Sequence, residues 1–427
     1  MTRPVPSALP DPGGLVLAPF RALRYAADGP ALAAMTSPPY DVIDDEQHAR
    51  LEAASPHNVV RLILPRDDAG PASRYARAAR TLAGWRADGT LALDAQPALY
   101  VYEESVAGHT QRGLVGALGL SPPDAGVVLP HENTMAGPVA DRLALTEATR
   151  ANLEPIFLVY DGGGAAAAAV LAAGDREPEV TATTQDGVTH RLWPLRDRAG
   201  LDEVAGDLLT RRAVIADGHH RYATYLQHQS DRHGAGAGAG GWDFGLAFLV
   251  DATSFGPQVH AIHRVVATLP VEEAARRAQR AFAVRRLALD LDAAVEALRR
   301  AGDDGVAFLL VDRHERFLLT APEQKAVDRA VPQDRSPAWR DLDVTVAHRL
   351  LISGLWGLTD TEDVVDFAHD VPAAVTAAGG AGTALLLNPT PVEAVVAVAA
   401  AGERMPRKST LFTPKPRTGL LLRPFDP

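Results

Sequence analysis

The stretch AVIADGHHRYATYLQHQSDRH, residues 213–233, changes its hydrophobic rhythm in the middle. Residues 213–215 are apolar and β-prone, whereas from Arg221 onward Tyr222, Tyr225 and Leu226 recur at helical spacing. DGHHR (217–221) therefore sits at a strand-to-helix turn. The first N–H groups of a helix have no intrahelical partner and carry the positive end of its dipole, which favours an anion there. Gly218 lets an anion approach the backbone, Arg221 can offer a two-pronged guanidinium, and His219 or His220 can add a donor. Asp217 has the wrong sign for that task; it can cap the helix through the His220 amide, hold magnesium, or orient a substrate hydroxyl. Three readings compete: a cap with solvated histidines, an anion site, and a zinc site. Zinc has the least support, because adjacent helical histidines point about 100° apart and neither has a histidine one turn on.

Outward from this turn, short apolar runs alternate with helical ones, which predicts a mixed α/β chain, with an α+β arrangement as the variant. Strands are expected at 98–104, 113–120, 155–161, 212–217 and 244–252. HNVVRLILP (57–65) reads as a core strand, and GGGAAAAAVLAAG (162–174) as a plain surface helix. After residue 264 the rhythm restarts, with helices at 271–282 and 343–358, a hairpin over 305–321, a strand at 382–390 and a helix begun by Pro391. The expected organisation is a core over 1–264, a second α/β subdomain over 265–400, and a tail over 401–427 that can return to the site.

Composition narrows the function. The 42 basic and 53 acidic residues leave a formal charge of −11, which argues against nucleic-acid binding by bulk electrostatics. With no cysteine there is no disulfide, thiolate metal site or thiol nucleophile. No apolar stretch has signal-peptide or membrane-spanning length, so the expectation is a cytoplasmic protein with no membrane partner. Oligomeric state leaves no trace in the sequence.

Three motifs fail on inspection. Gly236, Gly238 and Gly241 satisfy GxGxxG but follow a helix within a glycine–alanine repeat. GERMPRKS (402–409) has Arg407 where a phosphate loop needs glycine, although Lys408 and Lys415 can reach an anion from an extended tail. HENTM (131–135) places Met135 where HExxH needs histidine. Other polar clusters remain candidates: His131, Glu132, Thr134, Asp141 and Arg142 in LPHENTMAGPVADRLAL (129–145), Tyr40 and Asp41 in PPYDVI (38–43), and His263 with Arg264 as an interdomain surface or ligand contact.

PPYDVI, HNVVRLILP, LPHENT followed by DRLAL, NLEPIFLVY, ADGHHRYAT, the HR pair at 263–264, LLLNPTPVE and GERMPRKSTLFTPKPRTGLL stand in the order of the bacterial and archaeal domain-of-unknown-function family numbered 1015, and the chain resembles it over nearly its whole length. DGHHR is similar to the phosphate-gripping turn of the ParB/sulfiredoxin superfamily and of free serine kinases with that fold. The resemblance implies a ParB/sulfiredoxin-like core that transfers phosphate from ATP or ADP, with Mg²⁺, to free L-serine or a similar hydroxy compound. It implies that Asp217, Gly218, His219, His220 and Arg221 bind nucleotide phosphate. Around them, Arg142, Lys408 and Lys415 are expected to contribute charge, and Tyr40, Asp41, His131, Thr134 and Asp141 to hold substrate. Glu132, Asp217 and His220 are the catalytic candidates, with Asp217 also the candidate magnesium ligand. One departure stands out: Val139 occupies the stretch before DRL where the family leads one to expect a lysine, so Arg142, Lys408 or Lys415 must replace it. The alternative is a non-catalytic nucleotide sensor or scaffold using the same turn.

Overall fold

The apolar runs around residues 99–119, 156–160, 213–217 and 244–251 are too evenly hydrophobic for strands with one wet face. In the computed structural model they pair with one another in a single sheet. The described residues are 13–66, 70–361 and 363–426. The sheet has nine strands: β1 (Leu17–Ala18), β2 (Leu99–Val106), β3 (His109–Gly119), β4 (Val128–Leu129), β5 (Ile156–Tyr160), β6 (Val180–Thr183), β7 (Thr189–Leu195), β8 (Ala213–Asp217) and β9 (Phe244–Asp251). Their spatial order is β4-β8-β5-β9-β3-β2-β7-β6, with β1 on β3. Strand β8 runs parallel to β4, and β9 parallel to β5; the other pairs are antiparallel. Helices α1 (Pro71–Ala87), α2 (Ala136–Thr149), α3 (Gly164–Ala173), α4 (Arg198–Leu208) and α5 (His219–Gly234) accompany the sheet, so the architecture is mixed α/β.

This topology positions the site. Strand β4 leads through residues 130–135 into α2, and its parallel neighbour β8 leads through Gly218 into α5. Because β5 is antiparallel to β8, its incoming segment, Leu153 to Pro155, lies at the same end of the sheet. The register shifts between Ile215 and Asp217, a bulge that re-aims the last residue of the strand.

The second sheet has six strands: β10 (His263–Val266), β11 (Ala283–Arg286), β12 (Ala307–Val311), β13 (Arg316–Thr320), β14 (Asp366–Ala368) and β15 (Thr383–Leu387), in the order β11-β13-β12-β15-β10-β14, all antiparallel. Ala294 and Leu298 of α6 (Leu291–Gly302) and Ala374 and Ala378 of α7 (Val371–Ala378) join its core.

The chain divides into two units, one of Gln258–Thr413 and one of the described residues on either side of it. The division falls at 257/258 rather than 264/265, because His263–Val266 is itself a strand of the second sheet. Residues 401–427 do not form a tail of their own: through Thr413 the chain stays with the second unit, and from Pro414 its described part belongs to the first. There Arg423–Pro424 pairs with Ala151–Asn152, and the buried Arg423 guanidinium donates to Asn152 Oδ1 at 2.7 Å, Phe244 O at 2.9 Å and Gly241 O at 2.6 Å.

One local expectation is corrected. HNVVRLILP holds a short helix, Val60–Ile63, because Asn58 Oδ1 accepts from the Val60 amide at 2.9 Å while its amide group donates to Ala34 O and Thr36 O. Val59, Val60, Leu62 and Ile63 are fully buried around the one polar residue, Arg61, and so short a run shows no helical period. The alanine-rich α3 is the surface helix expected, with Leu171 59% exposed, and it turns Ala166, Val170 and Ala173 into the main core. No helix of the described residues is long and apolar enough to cross a membrane.

Candidate functional site

Helix α5 starts without a side-chain cap. Its N-cap is Gly218, held in the left-handed region at φ 94°, ψ 30°, and this residue has no side chain to offer the first turn. Asp217 therefore does not cap the helix. Its Oδ2 pairs with Arg221 one turn on, and its Oδ1 lies 2.6 Å from Lys415 Nζ. Lys415 reaches Asp41 Oδ2 as well, at 2.9 Å. A lysine near the end of the chain thus bridges the PPYD and DGHHR motifs.

Arg221 is 3% exposed and presents no fork to solvent. Besides Asp217 it donates to Pro155 O, and its Nε has no hydrogen-bond partner. Burial opposes its charge, yet Asp217, Glu154 and Asp41 together raise its pKa above the ordinary value. Burial opposes the charge of Lys415 too, and is overcome by Asp217 and Asp41. Asp41 is held below its ordinary value, again against burial, by Lys415 and Arg221.

The two histidines act upward, on the HENTM loop. His219 Nε2 accepts from the His131 amide at 3.2 Å, and His220 Nε2 accepts from the Met135 amide at 3.1 Å. The His131 and His219 rings meet edge to face at 4.6 Å. Acceptance at Nε2 puts the proton of each neutral ring on Nδ1; for His219 that atom is 3.7 Å from Glu132 Oε2. Burial lowers the pKa of His220, which keeps its acceptor role. Glu132 is partly exposed and Thr134 exposed on the same loop.

Arg142 is buried. It donates to Ile63 O at 2.6 Å and to Asp141 Oδ2 at 2.9 and 2.5 Å, and its guanidinium stacks 4.3 Å from the centre of the Tyr40 ring. Asp141 also accepts from Tyr75 at 2.6 Å and pairs with Arg74. Two clefts flank Arg142: one of about 310 Å³ bordered by Glu154, Arg221 and Tyr225, and one of about 580 Å³ bordered by His48, Arg66, Arg74 and Asp141. Neither is lined by Gly218 or Lys415.

The site thus unites Tyr40, Asp41, His131, Glu132, Asp217 to Arg221 and Lys415, with Arg142 as an internal clamp rather than a surface anion ligand. Lys408 lies in the second unit, where its carbonyl accepts from Arg264 at 3.0 Å. His263 and Arg264 are likewise buried in that unit, Arg264 donating to His348 Nε2 at 3.0 Å. Glu154 was missed from the sequence. It accepts from the Tyr40 amide at 3.0 Å, lies 3.8 Å from Arg142, and burial raises its pKa. The acid inside the apolar NLEPIFLVY run was the available signal.

Sheet, turn and charge cluster together define a mixed α/β protein with a glycine-capped helix start backed by buried cations. A family model described as "Protein of unknown function (DUF1015)" matches residues 17–345, and the chain belongs to that family. Among solved structures, the chain is similar to a free serine kinase variant in complex with ADP (13% identity, 69% of this chain and 89% of that one, TM-score 0.34). It is also similar to another free serine kinase variant with AMP (14%, 76% and 92%, TM-score 0.35) and to C-terminally truncated SbnI from Staphylococcus aureus (10%, 72% and 87%, TM-score 0.35). No curated protein matches the sequence.

Proposed function

We propose that this protein is a small-molecule phosphotransferase that holds the phosphates of ATP or ADP at the start of α5 and passes one to the hydroxyl of free serine or a similar compound. The observation that carries this reading is Lys415, set between Asp41 and Asp217 beside an uncapped helix start with a left-handed glycine. A phosphate there meets the positive end of a helix dipole and a cation already withdrawn from water. Lys415 exchanges a carboxylate partner for a phosphate one, and supplies the positive charge that Val139 does not. Arg221, buried behind the turn, contributes a fixed positive field.

The nucleotide supplies the transferable phosphoryl group; the chain supplies alignment and charge neutralisation, which dominate catalysis of such transfers. Glu132 takes the hydroxyl proton. The Nδ1 of His219 faces its carboxylate at 3.7 Å. His219 and His220 position the loop that carries this carboxylate. Both oxygens of Asp217 already face cations, and the described residues hold no cluster of three or more metal-ligating side chains, so Asp217 does not fit a metal and no step runs through one.

The test is incubation with Mg²⁺, ATP or ADP, and a pool of amino acids and small alcohols, followed by mass spectrometry for a new phosphorylated species. Glu132→Gln should bind nucleotide normally and lose roughly 10²–10⁴-fold in turnover, while Lys415→Ala should weaken binding about tenfold or more, the cost of one charge-assisted contact. Nucleotide binding without any phosphorylated product overturns the transferase reading in favour of a sensor.

A further inference from the structure

Lys415 lies in the segment TPKPRT (413–418), between two prolines. Pro414 and Pro416 have no N–H, so a neighbouring strand cannot hold this segment by an ordinary ladder. Side chains take over. Gln111 Nε2 donates to Pro414 O at 3.0 Å, and the Arg417 amide donates to the Tyr102 hydroxyl at 3.1 Å. Beyond them, Arg417 Nε donates to Thr36 Oγ1 at 3.0 Å, and Ser37 and Thr418 exchange backbone hydrogen bonds at 3.1 and 2.9 Å.

Both anchoring side chains are themselves fixed from below. Gln111 Nε2 also donates to Glu104 Oε2 at 2.7 Å, and the Tyr102 hydroxyl lies 2.8 Å from His190 Nδ1. Gln111, Glu104, Tyr102 and His190 are at most 3% exposed. The 3.7 Å approach of His190 to Glu104 is not an ion pair, because burial holds both groups neutral, Glu104 pushed up to about 8 and His190 down to about 3. Gln111 and Tyr102 therefore stand on a buried, hydrogen-bonded base and grip the segment at Pro414 and Arg417, on either side of Lys415 and Pro416.

We propose that Tyr102 and Gln111 are positioning residues that set the Lys415 ammonium between Asp41 and Asp217. Neither approaches the reacting phosphate; they act by fixing the backbone from which a long, rotamer-rich side chain departs, so that its ordering cost is met before ligand arrives. The importance of this for phosphate binding rests on the function proposed above, but the positioning itself does not.

The experiment is competitive acetylation of Lys415 across pH, read by mass spectrometry, in wild type, Tyr102→Phe, Gln111→Met and Tyr100→Phe. Tyr100 is the control: its hydroxyl is equally internal, accepting from the Ala22 amide at 3.2 Å and donating to Asp94 at 2.5 Å, away from the segment. Release of Lys415 from its carboxylates should raise its reactivity near pH 9 by about tenfold, one pKa unit's worth, in Tyr102→Phe and Gln111→Met but not in Tyr100→Phe. ATP affinity should fall in the same two variants, with no further loss when Lys415→Ala is added. Unchanged Lys415 reactivity in a folded Tyr102→Phe or Gln111→Met protein, or an equal rise in Tyr100→Phe, overturns the proposal. If wild type binds no ATP, the acetylation profile still decides it, and only the function proposed above falls.

Discussion

Asp217 is the residue whose assignment changed most. Its sequence position allowed a cap, a metal ligand or a substrate contact, and the structure gives it two cations instead. At 12% side-chain exposure, removing its charge takes from Arg221 and Lys415 the carboxylate that both contact directly. Asp217→Asn should therefore cost about 3–5 kcal/mol, the usual penalty for breaking a buried pair from one side, measured by urea unfolding. Asp41→Asn should cost less, since Asp41 is more exposed and pairs directly only with Lys415. None of this was legible locally, because Asp41 and Lys415 are separated by 374 positions and no periodicity connects them.

At the scale of elements, the turn between β8 and α5 concentrates the risk. Gly218 has φ 94°, and a Cβ there would approach Arg221 Nε to 3.0 Å. Gly218→Ala should lose about 1–2 kcal/mol from backbone strain, with a further loss from displacing the guanidinium, and the expected sign is lower thermal stability in calorimetry. The strand–turn–helix itself was legible because its two periods differ, and the central strands were legible because they are long, apolar runs bounded by polar turns. The helix at Val60–Ile63 was not, since a single turn with only Arg61 partly exposed shows no period and its amide partner comes from Asn58 inside the motif. The histidines were legible as site residues but not as acceptors for loop amides, which requires knowing that β4 lies beside β8.

Over the whole molecule, buried titratable groups should shape stability against pH. Burial pushes Glu104 in the first unit up to about 8 and Asp343 in the second up to about 7, so each stays protonated in the folded state after its unfolded counterpart has ionised. Stability from these groups is full below their unfolded pKa and is lost as pH rises through the folded value. Burial lowers His190 to about 3 and His263 to about 4, so stability from these is full above the unfolded value of 6.5 and is lost on acidification. From pH 6.5 to 8 only the contribution of the acids among these four still changes, and stability should fall. Melting curves at pH 6 and 8.5 should show Glu104→Gln flattening that fall in one unit and Asp343→Asn in the other; an unchanged slope in either variant would contradict the assignment.

The first unit takes its residues from both sides of the second, and that arrangement sets an order of events during synthesis. Ribosomes deliver the nine-stranded sheet early, yet Lys415 and the Arg423 anchor emerge only after all of Gln258–Thr413 has been made. The nascent chain must therefore carry an unfinished site, with Asp41, Asp217 and Arg221 lacking their lysine, for the time needed to translate more than a hundred and fifty further residues. Completion of the charge cluster consequently waits until the second unit has been made, and a ribosome that stalls before Lys415 leaves a sheet without that lysine.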